Sequence, residues 1–307
     1  MSAVRPGPRA AAWWPVGPSI LAFIALALLP DFGPYLAIHN LGVFPIFGFF
    51  AVTFGLAALL TVFEFWFGRR ARGTMINHTD VASAVFGFFI TGSIGNGIMI
   101  ALLAPLSDPF TDAIGIDLWP SSWPLIVQVV IGLVISDLVM YPIHRYMHKH
   151  DSLWRVHVVH HSVGNLRPMR NFLQHPFEVL LLGVVPAIPL VLLGAPAIAA
   201  TLVGAIRVTV GLVDHSSMPL RTGWLDYVIH TPNDHWWHHN LEDKGGTNFT
   251  TVVIPIDIIF GTFKKPPAGD PVPDQIGIAE PHIQANHYVR QLTVPFRWHT
   301  VEQQGHN

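Results

Sequence analysis

Long apolar segments limit what this chain can fold into more than any other feature of its sequence. A helix needs roughly 20 predominantly apolar residues to cross a bilayer. Four segments approach or exceed that length: residues 18–40, Val43–Phe67, Val85–Leu106 and Pro124–Pro142. Only 12% of the residues are charged and the mean hydropathy is +0.44, which differs from the composition of soluble domains. The sequence therefore predicts an all-α integral membrane protein with about four transmembrane helices.

The placement of Lys and Arg predicts the orientation of these spans. Apart from Arg207, the basic residues fall on the N-terminal tail, in the link after Phe67 or in the region after Pro142. Four spans put these groups on one side, as the positive-inside rule requires. We therefore expect a multi-pass protein with both termini in the cytoplasm and a cytosolic, His-rich helical cap.

A further apolar stretch, Val179–Val213, is interrupted by Pro186, Pro189 and Pro196. Such broken segments are tolerated at membrane depth when protein surrounds them. A full crossing would separate the histidines before this stretch from those after it. We therefore expect a re-entrant helical hairpin that returns the chain to the side it left.

Histidines recur with helical spacing on both sides of that stretch. His144 and His148 lie four residues apart, which places them on one face of a helix. Offsets of three and four recur within 157–161 and again within 235–239. The candidate metal ligands are His144, His148, His157, His160, His161, His235, His238 and His239, with His215 as a ninth. Eight facing imidazoles exceed one tetrahedral site, so two metal ions are expected, and imidazole suits iron, zinc, copper or nickel.

The motifs around these histidines carry a family resemblance that extends from Asp137 to Phe263. The chain has His-x3-His at 144–148, His-x2-His-His at 157–161 and 235–239, Asp-His-Ser at 214–216 and Asn-Phe at 248–249. In these motifs it resembles the fatty acid hydroxylase/sterol desaturase superfamily of integral membrane oxygenases. The resemblance implies two iron ions at the cytosolic membrane face, which use O2 as co-substrate to hydroxylate or desaturate a lipid C–H bond.

Two positions depart from the family pattern. Some relatives carry a histidine four residues before the position of His215, where this chain has Gly211, and many carry Ser where it has Asn240. The first departure leaves the number of histidine ligands open. No catalytic residue is predicted beyond the metal centre.

Several polar residues are expected to support the ligands without binding metal. Asp137 lies in an apolar helix seven residues before His144. We expect its carboxylate to accept the second N–H of a ligand imidazole, which is the usual way such a ring is oriented. The other candidates for indirect support are His175, Asp214, Asp234 and Asn248. His150 and His230 are expected to be exposed or to act indirectly.

The predicted organisation has four parts. They are a disordered tail at 1–17, a transmembrane region at 18–136, a fatty acid hydroxylase/sterol desaturase-like catalytic domain at 137–265, and a cytosolic cap and tail at 266–307. The chain has no cysteine and no recognisable flavin or haem module. A separate electron donor is therefore implied, such as a reductase with cytochrome b5 or ferredoxin. The net charge of -2 gives no indication of a nucleic-acid partner.

Two other functions fit a histidine-rich membrane protein. One is a zinc-dependent hydrolase of a lipid ester, and zinc could also replace iron in purified protein. The other is a metal transporter, which we disfavour because transporters usually place their ligands at the bilayer midplane. The sequence leaves open the identity of the lipid (sterol, fatty acyl or related), the choice between hydroxylation and desaturation, the electron donor and the oligomeric state.

Overall fold

The fold is given by a computed structural model that describes residues 44–67, 78–115, 118–218, 223–241, 246–265, 273, 275–278 and 287–298. The predicted tail at 1–17, the first apolar segment at 18–40 and most of the predicted cap at 266–307 lie outside these ranges. The described residues are mostly helical and contain two isolated β-bridges but no strand. This confirms the predicted all-α class.

Nine helices position the site within the described part of the chain. They are α1 Phe44–Phe67, α2 His78–Ile114, α3 Leu125–Lys149, α4 Asp151–His161, α5 Pro176–Leu192, α6 Ala197–Asp214, α7 Pro232–His238, α8 Ile254–Ile259 and α9 Tyr288–Thr293. Three of them, α2, α3 and α6, are long and apolar enough to cross a membrane. The first two contain predicted spans, whereas α6 belongs to the predicted hairpin.

A single break in the chain turns α4 back against α3. His150 has an extended backbone, with φ −116° and ψ 120°, so α3 ends there and α4 begins at the next residue. One face of α4 packs Val158 and Val159 against Val294 and Trp298 from the C-terminal region. The opposite face of α4 is thereby left to its histidines.

The segment formed by α5 and α6 returns to its starting point. The two helices are joined by a turn in which Gly194 adopts φ 77°. At the start of α5, Glu178 contacts His157. At the end of α6, His215 lies against His160. Both ends therefore meet histidines of α4, as the hairpin prediction requires, while its depth in the membrane stays a prediction.

A buried ion pair joins α6 to α3. Arg207 Nη1 donates to Asp137 Oδ1 over 2.7 Å and to Ser136 Oγ over 3.2 Å, and Nη2 donates to the carbonyl of Leu182 over 3.1 Å. Arg207 is the basic residue that departs from the charge pattern of the sequence. Its pairing with a carboxylate inside the helix bundle accounts for that departure, because an ionised group at membrane depth needs a partner.

Candidate metal centre

Four helices bring the histidines together. His144 and His148 lie on the last two turns of α3, and three more histidines lie on the facing side of α4. His215 follows the last residue of α6, and the remaining three lie on α7 or directly after it. The spacings of three and four residues thus act as predicted, because each helix presents its histidines on one face.

The nine predicted histidines form two groups, in each of which the ligand nitrogens lie within 4.8 Å of one another. The five-histidine group consists of His144, His148, His157, His161 and His238, and the four-histidine group consists of His160, His215, His235 and His239. The groups adjoin, since the ring centroids of His161 and His239 are 4.2 Å apart. The geometry therefore offers two neighbouring places for a metal ion.

In four of the histidines, a backbone carbonyl determines which ring nitrogen faces inward. The Nδ1 atoms of His144, His160, His215 and His238 lie 2.6, 3.3, 2.7 and 2.8 Å from the carbonyl oxygens of Phe249, Leu173, Gly211 and Thr247. A carbonyl only accepts, so each Nδ1 carries the hydrogen and each Nε2 presents a lone pair. Metal-binding histidines are typically oriented in this way.

The inward nitrogens are arranged for a cation. His157 Nε2 lies 3.0 to 3.1 Å from Nε2 of His144, His148 and His161, and His215 Nε2 lies 3.0 Å from Nε2 of His235. Burial favours the uncharged form of the rings and lowers the pKa of most of these histidines. The rings are therefore not themselves the positive charge toward which the nitrogens could point. Converging lone pairs on neutral imidazoles fit a transition-metal ion.

The burial effect is clearest for His160, whose pKa is lowered to about 3 by desolvation. His161 and His239 have pKa values well below the ordinary histidine range, through burial and then through the neighbouring imidazoles. In addition, Nε2 of His238 is buried without a hydrogen-bond partner in the described structure. A buried unpaired nitrogen is unfavourable unless something binds it.

Two further residues hold histidines from outside the two groups. Glu178, which was not among the predicted site residues, has Oε1 2.9 Å from Nδ1 of His157, and both side chains are buried. His230, expected to be exposed or to act indirectly, is buried beside His235 with ring centroids 5.5 Å apart, and its Nδ1 donates to Asp214 over 2.8 Å. The one available signal for Glu178 was an acidic residue at the start of an apolar stretch, two positions after Pro176.

The pairing with Asp214 also determines the charge of His230. Burial alone would lower the pKa of His230, but the charge of Asp214 and its hydrogen bond raise this pKa to about 9. Asp214, His230 and His235 together form a third set of closely spaced potential ligands. Asp214 therefore orients an imidazole, but that of His230, which lies beside His235 and is not among the nine predicted ligands.

The expected role of Asp137 is wrong. Its Oδ2 accepts the backbone N–H groups of Val252 and Val253 over 2.8 and 2.7 Å, and its Oδ1 accepts from Arg207. The carboxylate thus braces the segment before α8 and does not orient a ligand ring. An ion pair with α6 was not visible in the sequence because it joins helices 70 positions apart.

The three remaining supporting candidates act on the backbone. His175 accepts from the N–H of Phe177 at the start of α5 and lies in neither histidine group. Asp234 forms a capping box with Thr231 at the start of α7. Asn248 donates to the carbonyl of Asp234 over 3.0 Å. Asp234 and Asn248 thereby hold the helix that carries His235 and His238, which is indirect support of the expected kind.

Asn171 fills the space where some relatives carry a further histidine. A Cβ at Gly211 would lie 2.6 Å from Oδ1 of Asn171, which is closer than real contacts. A larger side chain at Gly211 therefore requires Asn171 to move. The departure from the family pattern is consequently matched by the packing, and the set of converging imidazoles numbers nine.

A cavity of about 830 Å³ opens onto the histidines. Its walls come from α2, α3, α5 and α6, and His144, His157, His160, His215 and His235 line one part of it. Lining residues on α6 extend from Ala197 to Asp214, which is roughly 26 Å of helix. Both wall helices α2 and α5 contain π-helical stretches, Ser83–Ile90 and Val179–Val184, and such stretches are frequent at functional sites.

The fold and site define a helical membrane protein with a candidate centre for two metal ions beside a long, mostly apolar cavity. Residues 129–262 match the model of the fatty acid hydroxylase family. The chain therefore contains a fatty acid hydroxylase domain, and its curated relatives are members of the fatty acid hydroxylase/sterol desaturase superfamily. The resemblance predicted from the sequence is thereby confirmed for this region.

Curated relatives are enzymes of lipid oxidation. The chain is 40% identical over 179 residues to ornithine lipid hydroxylase OlsE of Rhizobium tropici, covering 58% of this chain and 53% of the relative. It is 27% identical over 153 residues to methylsterol monooxygenase 1-3 of Arabidopsis thaliana, covering 47% and 50%. A very-long-chain aldehyde decarbonylase of Oryza sativa is 29% identical over 196 residues, covering 56% and 30%. No solved structure gives a significant match.

The chain spans about half the length of the first two of these relatives. Together they support a lipid-oxidising activity for the matched domain. They do not bear on a hydrolytic or transport function.

Proposed function

We propose that this protein is a membrane oxygenase that holds two iron ions with nine histidines and oxidises a C–H bond of a lipid with O2. One observation carries the proposal: two groups of buried, neutral imidazoles lie beside a cavity whose walls include helices long enough to cross a membrane. The lipid-oxidising relatives favour iron over the other metals that imidazole accepts. Bound iron would supply the redox chemistry that activates O2.

The residues of the chain would hold and position the reactants. Glu178 keeps the hydrogen of His157 on Nδ1, so that Nε2 faces the five-histidine group. The cavity wall on α6 consists largely of small residues such as Ala200 and Gly204, which leaves room for an apolar chain. An apolar wall of this kind would exclude water from the site. We further propose a multi-pass protein with this site at the cytoplasmic face and an external electron donor.

Ornithine lipid is the first substrate to test, and hydroxylation the first reaction, because a relative with 40% identity is an ornithine lipid hydroxylase. The matched region overlaps the proposed catalytic domain at 137–265. Sterols are the second class to test, because other relatives are methylsterol monooxygenases.

The decisive experiment combines metal analysis with turnover. The purified protein should contain two irons per chain. With a reductase and ornithine lipid it should consume O2 and add one oxygen atom to the lipid. His238→Ala should lose both metal and activity, whereas His78→Ala, which changes an exposed histidine at the start of α2, should retain both. Lipid-ester hydrolysis without O2, or full activity of His238→Ala, would contradict the proposal.

A further inference from the structure

A second apolar surface lies outside the three candidate spans. We call it the apolar ledge, and it is formed by the exposed side chains of Trp224, Tyr227, Val228, Ile258, Ile259 and Phe260. Ile259 is 77% exposed and Trp224 is 70% exposed. A β-bridge between Ile229 and Val253 joins the two chain segments, so the ledge is one continuous structural unit. Large apolar side chains gathered on one surface usually mark a binding face.

The ledge docks on α3 at residues that precede the histidines of that helix. Val252 and Val253, just before α8, donate their N–H groups to Asp137, and Phe260 stacks on Tyr141 with ring centroids 4.8 Å apart. Asp137 precedes His144 by seven residues, or roughly 10 Å along a helix. Because the histidines occupy the last turns of α3, the ledge lies beside the apolar part of that candidate span.

Charge and aromatic composition point to a lipid surface. Lys264 and Lys265 follow the ledge, and Lys265 Nζ donates to the hydroxyl of Tyr227 over 2.5 Å. Tyr and Trp beside lysine are typical of the boundary between acyl chains and headgroups. The lysine stems can lie along apolar surface while their ammonium groups reach anionic headgroups. Water is an unfavourable neighbour for the side chain of Ile259, because burying apolar surface away from water is favourable.

We propose that the apolar ledge is inserted into the membrane leaflet that adjoins the candidate metal centre. Acyl chains cover Ile258 and Ile259, and the headgroups lie at Lys264 and Lys265. The ledge thereby fixes the height of the histidine groups relative to the lipid surface. The inference rests on the membrane placement of α3 and is independent of the chemistry proposed for the histidines.

The absence of cysteine from the chain permits a clean test with single labelled thiols. Ile259→Cys, Leu138→Cys and Asp151→Cys would each carry one environment-sensitive fluorophore in the full chain, reconstituted in nanodiscs of phosphatidylcholine and phosphatidylglycerol. Leu138 is an exposed residue of α3 and marks the acyl region, whereas Asp151 is exposed beyond the end of α3 and marks the aqueous side. Quenching by nitroxide lipids and by aqueous iodide would be compared.

The label at Ile259 should lose most of its fluorescence to nitroxide lipids and resist iodide, as the label at Leu138 does. The label at Asp151 should show the reverse. If Leu138 is quenched by lipid but Ile259 by iodide, the ledge proposal is overturned while the membrane placement stands. If Leu138 is not quenched by lipid, both fail. Dipolar coupling between spin labels at Ile259, without lipid quenching, would show that a second copy covers the ledge and would also overturn the proposal.

Discussion

Replacing Glu178 with Gln should weaken metal binding in the five-histidine group by about 10–100-fold, because partners that orient ligand histidines typically contribute this much. The carboxylate lies 2.9 Å from Nδ1 of His157, with 0% and 1% of the two side chains exposed. Burial raises the pKa of Glu178 well above its ordinary range, and a nearby cation would favour the ionised carboxylate. The glutamine oxygen can still accept the N–H, but it cannot supply the charge of that carboxylate. The expected loss corresponds to about 1.4–2.7 kcal/mol of binding free energy.

Glu178→Leu should have a larger effect than Glu178→Gln. Leucine offers no acceptor, so the Nδ1 hydrogen of His157 is left buried without a partner, at a further cost of about 1–3 kcal/mol. The hydrogen bond therefore predicts that metal affinity falls from wild type to Glu178→Gln and again to Glu178→Leu. A change of side-chain volume alone would not predict this order.

Chelator competition on the purified full-length variants would measure these differences as iron bound per chain against free metal. Asp80→Asn is a matched control, since Asp80 is a buried carboxylate paired with Arg170 over 2.9 Å and lies in neither histidine group. This control should lower thermal stability without selectively weakening metal binding. Equal metal affinity in wild type and Glu178→Gln would refute the role assigned to Glu178.

Three further predictions test other parts of the fold and site. Arg207→Met should lower the free energy of unfolding by about 3–5 kcal/mol, because Asp137 is left buried without its ion-pair partner. Adding Asp137→Asn should recover part of the loss. An unchanged Tm of Arg207→Met in detergent would contradict the role of the ion pair. Gly211→Ala should reduce stability and metal content. Gly204→Ala on the same helix, with nothing within 4 Å of the added Cβ, should preserve both. Equal stability and metal content in the two variants would refute the packing argument. The metal-free protein should lose stability as pH falls from about 6.5 toward 3. In this range His160 binds a proton in the unfolded chain but not in the folded protein, where its pKa is about 3. Denaturant midpoints that stay constant across this range would contradict the assigned pKa.

Local spacing explains why the ligands could be predicted and their grouping could not. Offsets of three and four residues place side chains on one helix face whatever the tertiary structure, and the predicted nine are the histidines that converge. The division into groups depends on how the helices meet. His160 and His161 are neighbours in sequence yet belong to different groups, and the same is true of His238 and His239.

The supporting residues were harder to predict because their partners come from distant helices. Asp137 has the right spacing for His144, but the packing of α6 and of the segment before α8 claims both of its oxygens. Glu178 has no local relation to His157 and is placed by the return of the chain into α5. A carboxylate in an apolar segment indicates a buried partner, but the sequence does not identify which one.

The same packing would couple the proposed metal binding to folding. Burial keeps the imidazoles neutral, with the pKa of His157 well below the ordinary range through desolvation and the neighbouring rings. The Nε2 lone pairs of His160 and His215, whose Nδ1 hydrogens face backbone carbonyls, then lie 3.3 Å apart, an arrangement that a bound cation would stabilise. Ions that bind the folded but not the unfolded chain stabilise it. Because α3, α4 and α7 and the end of α6 each contribute ligands, that stabilisation would act on the helices surrounding the histidine-lined part of the cavity, and the shape of the substrate site would depend on the metal.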